Sequence, residues 1–455
     1  MPTWLKNALD YTGEWLDYQM RTTRQPGCSI AVAYKGRVVF ERAYGYANAV
    51  KGERLTPRHR FRVASHSKSF TAAGILKLRE AGKLGLDDAV GRYVDGLHPV
   101  VAEATLTELL SHGAGLVRDG ADAGQWLDRR PFASEAELRA ALAEPPVITP
   151  NSRMKYSNHG FGLLGLVIEA VTGEAYGAWI SRHIVAASKL KESIPDGPAA
   201  TGVPVARGHS AELPLGHRVI IPGDNPTHVL APATGFVSTA ADLARYFASL
   251  DPAATRSVLS PASRRAMLHK QWRDPHSTVV SHYGLGLMMG SAGGWQWAGH
   301  GGGFQSCLSR TAMVLGRELC VSVLTNATDG MANPWSDGVI KILKTFADNP
   351  LPSARARNWR GRWWSLWGTE DLVPFGDKVM LAAPALLNPF SGAEEITVTA
   401  RDKGTISLGG GYGSHGEDAR LVRGRDGRVK EVQLGGACLV PEARAKAEMK
   451  KRYGG

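Results

Sequence analysis

Ser65 and Lys68 stand three residues apart at the start of a predicted helix and have the types needed for nucleophilic catalysis. Apolar residues recur at helical spacing through residues 61–80, and side chains three positions apart share one face of a helix. A serine hydroxyl becomes a nucleophile when a neighbouring base takes its proton, and an amine does so once its pKa is lowered. Free N–H groups at a helix start also suit an oxyanion. The pair predicts acyl transfer through Ser65.

The S-x-x-K pattern is weak evidence when it stands alone. Ser188 and Lys191 repeat it, and a surface serine near a solvated lysine is the ordinary alternative. The prediction for Ser65 therefore depends on further motifs downstream.

Tyr156 and Asn158 end a loop that is predicted to lead into a helix from about His159 to Val171. A neighbouring ammonium favours the phenolate of a tyrosine, so Tyr156 and Lys68 could pass a proton to and from the serine. The Asn158 amide could hold either the substrate carbonyl or the lysine. Tyr46-Ala47-Asn48 has the same Y-x-N pattern in a hairpin, and a tyrosine packed under a loop is the alternative here.

The run from His300 to Gly303 falls on a predicted strand. Glycines weaken a strand, so three in succession indicate that something approaches the backbone closely. We predict that substrate lies along Gly301 and Gly302, with the N–H groups of Gly303 and Ser65 forming an oxyanion hole. His300 would bind a carboxylate or assist proton transfer, and a β-bulge with an incidental histidine is the alternative. His112 is predicted to anchor its loop rather than to act as a base.

Composition limits the class of protein. The 455 residues are 43% hydrophobic and 21% charged, which is typical of a globular chain with a large core. The net charge of +12 is diffuse and lacks a nucleic-acid-binding signature, so we predict no nucleic-acid partner. We see no export signal and no apolar run of about 18 residues, which predicts a cytoplasmic location and no membrane partner. The scattered cysteines predict buried free thiols and no metal site: Cys28, Cys307, Cys320 and Cys438.

The predicted elements fall into two domains. A helix over residues 3–24 and two strands precede the Ser65 helix, and strands follow from Tyr283. Beyond Pro350 the composition changes to short alternating runs with D-G turns, which predicts a small β-barrel. We therefore predict domains at 1–349 and 350–455. Four tryptophans are predicted to plug the barrel core rather than to form a ligand cage: Trp359, Trp363, Trp364 and Trp367.

Taken together, Ser65-x-x-Lys68, Tyr156-x-Asn158 and His300-x-Gly302 resemble the three motifs of the serine β-lactamase and penicillin-binding-protein superfamily. The chain is most similar to the class C-like branch of D-alanyl-D-alanine carboxypeptidases, D-aminopeptidases and esterases. Flanking stretches agree, including P-G-C-S-I-A-V-A-Y-K-G before the helix and Y-G-L-G-L before the histidine strand, and the resemblance covers about residues 20 to 345.

The resemblance implies an α/β fold of the α+β sandwich type. Its antiparallel sheet is flanked by helices, with an all-helical lobe over about residues 80–185 and a lipocalin-like barrel at the C-terminus. In relatives the barrel contributes to oligomers or covers the active site, so a homo-oligomer is expected as one alternative. Tyr156 is implied to help activate Ser65. Asn151 stands where relatives have glycine, which asparagine tolerates because it accepts a left-handed backbone.

The expected function is that of a serine hydrolase acting through an acyl-enzyme on an amide or ester. Histidine at position 300 resembles D-specific peptidases more than class C β-lactamases, so a D-stereospecific peptidase or amidase is favoured. The alternatives are a carboxylesterase or acyltransferase of the same family and a catalytically silent binding or sensor protein. The expected partner is a small-molecule or short-peptide substrate, and no cofactor or metal is expected.

Overall fold

The structure is a computed structural model that describes residues 1–273, 280–410 and 413–454. It contains two compact units. The larger unit is Arg24–Ser336, and the smaller unit combines Met1–Thr23 with Asp337–Gly455. The boundary predicted at residues 349 and 350 stays a prediction.

The larger unit is built on an antiparallel sheet. Its first hairpin forms as predicted, because Lys35 and Gly36 both adopt positive φ, of 52° and 71°, in a two-residue turn that suits twisted strands. Within the described residues the sheet has nine strands, in the spatial order Glu53–Arg54, Arg37–Asn48, Gly27–Tyr34, Leu319–Thr325, Cys307–Val314, Trp295–Phe304, Met288–Ala292, His282–Tyr283 and Trp272–Arg273. Two short antiparallel pairs lie outside it, Phe61–Arg62 with Val237–Ser238 and Gly208–His209 with Ile220–Ile221.

Helices surround this sheet. Their bounds are Ser67–Glu80, Pro99–Ala102, Leu106–Ser111, Glu135–Leu142, Asn158–Thr172, Tyr176–Ile180, Ala231–Thr234, Ala240–Ser249 and Pro261–Met267, and Ala332–Asp348 begins in this unit. Between residues 80 and 185, all of them described, there are helices and a single bridge but no strand, which confirms the all-helical lobe. Ser134 begins its helix with a capping box to Glu137.

The helix Ser67–Glu80 is the centre of the core. Every residue from Ser67 to Leu76 is buried, so this helix is surrounded on all sides rather than amphipathic. Phe70 stacks between Phe236 and Tyr246, with ring centroids 4.1 and 3.9 Å away. This packing fixes the start of the helix, where the candidate nucleophile lies.

The smaller unit contains the predicted barrel. Its eight strands are sequential neighbours, Gly361–Ser365, Gly368–Phe375, Lys378–Ala382, Glu394–Ala400, Lys403–Leu408, Asp418–Arg423, Val429–Leu434 and Ala437–Leu439. Trp364 and Val440 exchange two backbone hydrogen bonds of 2.8 Å, which brings the first and last strands together and nearly closes the barrel. Closure removes the exposed edges of an open sheet.

Helices at both termini accompany the barrel. The N-terminal helix Thr3–Thr23 belongs to this unit, where Trp15 Nε1 donates to the Leu386 carbonyl at 3.1 Å. The chain ends with the helix Glu442–Tyr453.

Two predictions about barrel residues need correction. Trp359 and Trp363 lie in the core as predicted, but Trp364 is only partly buried and lies outside this core. Trp367 is 97% exposed because it occupies the turn between the first two strands. Cys28, Cys307 and Cys320 are buried free thiols, whereas Cys438 is exposed.

Among the described residues, no single helix has the length and apolar character needed to cross a membrane. Asn158–Thr172 and Tyr176–Ala186 meet that test only as a bent pair, by length and composition.

Candidate active site

Ser65 was expected at the start of the helix, but the α-helix begins at Ser67. Ser65 lies just before it, in the 3₁₀ turn Ala64–His66. The preceding strand holds the turn in place, because Val63 N donates to the Phe236 carbonyl at 3.0 Å. Ala64 has a left-handed backbone with φ of 44°, an unusual conformation for a residue with a side chain, of the kind that clusters at active sites. Ser65 is only partly buried, whereas its neighbours on both sides are buried.

Lys68 is fully buried and directed at three oxygen atoms. Its Nζ lies within hydrogen-bonding distance of Ser65 Oγ at 3.2 Å, Asn158 Oδ1 at 2.7 Å and the Ala233 carbonyl oxygen at 2.9 Å. A neutral amine donates to two of these oxygens and accepts a hydrogen bond from the Ser65 hydroxyl. None of these oxygens belongs to a carboxylate. The structure therefore brings the residues of the first two motifs together, as predicted. Two roles were left open for Asn158, and the structure shows the contact with the lysine.

Burial controls the protonation of Lys68. Desolvation lowers its pKa well below the usual value, the nearby Arg118 acts in the same direction, and the negative charge of Asp119 opposes both. A lowered pKa leaves more neutral amine at physiological pH. The amine beside Ser65 thus has the property that a general base requires.

His112 positions the loop that carries Tyr156. The His112 carbonyl accepts from Lys155 N at 2.8 Å, and its Nδ1 accepts from Ser157 N at 3.1 Å. The rings of His112 and Tyr156 pack with centroids 4.1 Å apart. This is a loop-anchoring role of the predicted kind. Asn151, earlier in the same loop, adopts the left-handed backbone expected of it, with φ of 57°.

Tyr156 is hydrogen-bonded to Ser65, but its protonation differs from the expected phenolate. Desolvation raises the pKa of the phenol, and the hydrogen bond to Ser65 only partly opposes this effect. Lys68 Nζ lies 4.8 Å from the centroid of the Tyr156 ring. The tyrosine therefore rests as a neutral phenol, which can relay a proton but is a weak initial base.

His300 is 1% exposed and has partners at both ring nitrogens. Its Nδ1 donates to the Gly301 carbonyl at 2.6 Å, so its Nε2 accepts from the Tyr283 hydroxyl at 3.0 Å. Desolvation and the charge of Lys68 lower its pKa well below the usual value, which keeps the ring neutral. Because its ring is neutral and both ring nitrogens already have partners, His300 is better suited to orienting its neighbours than to the expected contact with a carboxylate.

The three glycines have different surroundings. A Cβ at Gly302 would lie 2.1 Å from the Val63 carbonyl, so the group that approaches this backbone is the chain's own Ser65 segment. That contact, rather than substrate, explains why glycine is needed there. Gly301 has room for a side chain, and Gly303 is exposed, where a Cβ would meet only the Leu308 side chain, at 3.3 Å. The predicted oxyanion hole and substrate contacts stay predictions.

Several residues of this site carried no motif signal. Asp119 accepts from Asn158 Nδ2 at 2.6 Å and so fixes the amide that contacts Lys68. Tyr283 links the second and third motifs, since its ring lies 6.3 Å from Tyr156 and its hydroxyl contacts His300. Only the position of Asp119 in the glycine-rich loop after His112 could have drawn attention to it.

Within the described residues, no three His, Cys, Asp or Glu side chains cluster as metal ligands would. The arrangement of a buried amine, a neutral phenol and a partly exposed serine suits acyl transfer through the serine. Such a centre, on an antiparallel sheet with a helical lobe, defines the class of serine acyl-transfer proteins with a β-lactamase-like fold.

The Beta-lactamase family model matches residues 14–338 of the 455, and the chain belongs to this family. Protein flp of Staphylococcus aureus (strain MW2) is 27% identical over 39% of this chain, and the chain spans only about a third of that relative's length, 36%. Esterase EstB of Burkholderia gladioli is 27% identical over 70% of this chain and 90% of its own length.

Two solved structures extend the comparison. The octameric penicillin-binding protein homologue from Pyrococcus abyssi has a TM-score of 0.66 at 22% identity, covering 95% of this chain and 99% of that one. A D-stereospecific amidohydrolase from Streptomyces sp. has a TM-score of 0.58 at 26% identity, covering 70% and 93%. These neighbours confirm the predicted fold, and the hydrolases among the relatives support a serine hydrolase.

Proposed function

We propose that this protein is a serine hydrolase that acts through an acyl-enzyme, and that its substrates are amides of D-amino acids or short D-residue peptides. The observation that carries the proposal is the buried Lys68 amine, 3.2 Å from Ser65 Oγ and without a carboxylate acceptor. The structural likeness to a D-stereospecific amidohydrolase at 26% identity supports the substrate class.

In the proposed first step, Ser65 Oγ attacks the substrate carbonyl while its proton passes to the neutral Lys68 amine. The carbonyl oxygen gains the negative charge, which the N–H groups of Ser65 and Gly303 would stabilise. Tyr156, hydrogen-bonded to Ser65, then relays a proton to the leaving amine as the tetrahedral species collapses. Water repeats the sequence on the ester and releases the acid. The proposed route uses only side chains and backbone of this chain.

A carboxylesterase is the second candidate. Esterase EstB supports it, since that relative is matched over 90% of its length. The same acyl-enzyme serves both reactions, and only the leaving group and the shape of the acyl pocket differ. A cytoplasmic location and a homo-oligomer also remain proposals, the latter in keeping with the octameric homologue.

Two assays test the proposal. A fluorophosphonate probe should label the wild-type chain at Ser65 and leave Ser65→Ala unlabelled, whereas a silent binding protein would take no probe. Initial rates on D-alanine p-nitroanilide, its L-enantiomer and p-nitrophenyl butyrate then separate the two candidates. Faster turnover of the D-anilide than of the L-anilide supports the amidase. Labelling with turnover of the butyrate alone would replace it with the esterase.

A further inference from the structure

His66 comes directly after Ser65 in the sequence and is completely buried. Its Nδ1 donates to the Val63 carbonyl at 2.9 Å, since a carbonyl oxygen can only accept. Its Nε2 is therefore the unprotonated nitrogen and accepts from the Thr311 hydroxyl at 3.0 Å. The ring thus connects the nucleophile turn, Ala64–His66, to a strand of the sheet.

The Val63 carbonyl is held at the point where the chain enters the nucleophile turn. It accepts from the His66 side chain at 2.9 Å and from the His66 backbone N–H at 3.2 Å, and Ser309 Oγ is a more distant donor at 3.5 Å. A Cβ at Gly302 would lie 2.1 Å from the same oxygen. Ala64, the next residue, has a φ of 44°. A strained backbone of this kind persists only where its surroundings hold it, and His66 supplies two of the bonds that do so.

On its other side, His66 is linked to the strand beside the one that carries His300. Thr311 is the direct antiparallel partner of His300 in the sheet. Because the Thr311 hydroxyl donates to His66, its oxygen accepts from Ser322 Oγ, at 2.9 Å, and the hydrogen bonds continue into a further strand. The nucleophile turn and the His300 strand are therefore connected through one buried side chain.

The chemistry of this ring excludes a role in taking the serine proton. Desolvation lowers the pKa of His66 to about 3, and the hydrogen bond to the Val63 carbonyl opposes this only in part. Both ring nitrogens already have partners, and neither partner is Ser65 or Lys68. A neutral imidazole in this position can orient its neighbours through two hydrogen bonds of opposite direction.

We propose that His66 is a positioning residue that holds the nucleophile turn against the His300 strand. It would thereby set the separation of the Ser65 and Gly303 N–H groups that would stabilise the oxyanion. This role rests on the hydrolase function proposed for the site. Donors aligned with an oxyanion act mainly on the transition state, so a misplaced turn should lower kcat more than it changes KM.

The kinetics of His66→Leu test this role, because leucine fills similar space without either hydrogen-bonding group. We expect kcat on the substrate selected in the anilide and butyrate assays to fall about 10²-fold, with KM within about threefold of wild type. The rate of fluorophosphonate labelling at Ser65 should fall with kcat, since the probe also passes through a negatively charged oxygen. A wild-type kcat in folded His66→Leu would overturn the role.

A conservative variant separates hydrogen bonding from packing. Asparagine can place its amide N–H where Nδ1 lies and so keep the bond to the Val63 carbonyl. We expect His66→Asn to have a kcat about tenfold or more above that of His66→Leu. Equal rates in the two variants would mean that the ring only fills space, which would overturn the role.

His209 is the matched control for loss of a buried histidine. It is completely buried, donates from Nδ1 to the Asn326 carbonyl at 2.9 Å and accepts at Nε2 from Ala49 N at 3.1 Å. His209→Leu should lower the unfolding temperature but leave the kcat of the folded protein within about threefold. An equal loss of kcat in His209→Leu and His66→Leu would assign the effect to stability and overturn the role.

Thr311→Val keeps the test decisive if His66→Leu does not fold. Valine preserves the shape of the side chain and removes only the hydroxyl that His66 accepts from. We expect kcat to fall about three- to tenfold with KM unchanged. An unchanged kcat in Thr311→Val would show that the link to the sheet does not position the turn.

Crystal structures of the wild type and of His66→Leu, or of Thr311→Val in its place, give a readout that does not need activity. We expect the nucleophile turn to shift relative to the His300 strand in the variant. A turn that does not move would overturn the role of His66 even in an active hydrolase. A wild type that takes no fluorophosphonate would instead overturn the proposed function, and the structures would still decide whether His66 positions the turn.

Discussion

The chain contains the S-x-x-K pattern twice, and the two regions differ in everything except that spacing. At Ser65 and Lys68 the amine is buried and lies 3.2 Å from the serine oxygen. At Ser188 and Lys191 the lysine is exposed and the serine oxygen has no hydrogen-bond partner among the described residues. The spacing brings the two side chains near each other, and burial lowers the pKa of an amine. Only the region of Ser65 and Lys68 combines the spacing with a buried amine.

The Y-x-N pattern shows the same contrast. Tyr156 is half-buried and packs against His112 and Lys68, and Asn158 accepts from the lysine. Tyr46 instead lies in a strand with the Arg54 guanidinium 4.6 Å from its ring. Asn48, the asparagine of this second copy, accepts a hydrogen bond from Lys51 N at 3.1 Å and so closes a turn. Each of these two motifs therefore has a natural control elsewhere in the chain.

The largest difference is expected between the two serines. Ser65→Ala removes the proposed nucleophile and should reduce hydrolysis by a factor of about 10⁴ or more, while Ser188→Ala should retain wild-type turnover. Initial rates on the substrate selected in the anilide and butyrate assays measure this. Activity lost equally in both variants would mean that folding rather than chemistry was disturbed, and activity kept in Ser65→Ala would require another nucleophile.

The second largest difference in kcat is expected between variants of the two lysines. Lys68→Met should lower kcat about 10² to 10⁴-fold because no base remains for Ser65. Lys68→Arg should not restore the rate, since a guanidinium stays protonated. Lys191→Met should have no effect on kcat. Rescue by arginine would show that Lys68 supplies charge rather than accepting a proton.

Tyr156→Phe should lower kcat about 10²-fold, because the ring packing is kept and only the hydroxyl contact with Ser65 is lost. Tyr46→Phe is the matched control and should be indistinguishable from wild type. A near-normal rate for Tyr156→Phe would leave Lys68 as the sole proton carrier.

The smallest effect is expected at Asp119, which fixes Asn158 and raises the pKa of Lys68 through its negative charge. Asp119→Asn removes that charge, so the pKa of Lys68 should fall further. Because the neutral amine is the active form, the acidic limb of the pH–kcat profile should move to lower pH, by about half a unit to one unit. Asp122→Asn, an exposed aspartate in the same loop, should leave the limb in place. A shift to higher pH would contradict the proposed role of Lys68.

The fold could be predicted well from the sequence wherever local patterns and tertiary structure agree. The first hairpin and the barrel strands follow from alternation and turn residues that act over a few positions. The all-helical lobe was implied by the family resemblance instead. The joint order of three motifs also identified the family that the match over residues 14–338 confirms.

Other features were beyond prediction because they depend on distant groups. The neutral state of Tyr156 results from desolvation, which outweighs its hydrogen bond to Ser65. The partners of His300 come from residues 283 and 301, and the contribution of Asp119 comes through its contact with an amide of the second motif.

Gly302 and Gly303 offer opposite opportunities for protein engineering. At Gly302 the space that a methyl group would need is taken by the Val63 carbonyl, so any substitution there should push the nucleophile turn away from its strand. At the next residue a Cβ would lie 3.3 Å from the Leu308 side chain, a close contact that a flexible side chain can relieve. Libraries that aim to change the acyl group accepted by this scaffold should therefore vary position 303 and leave position 302 untouched.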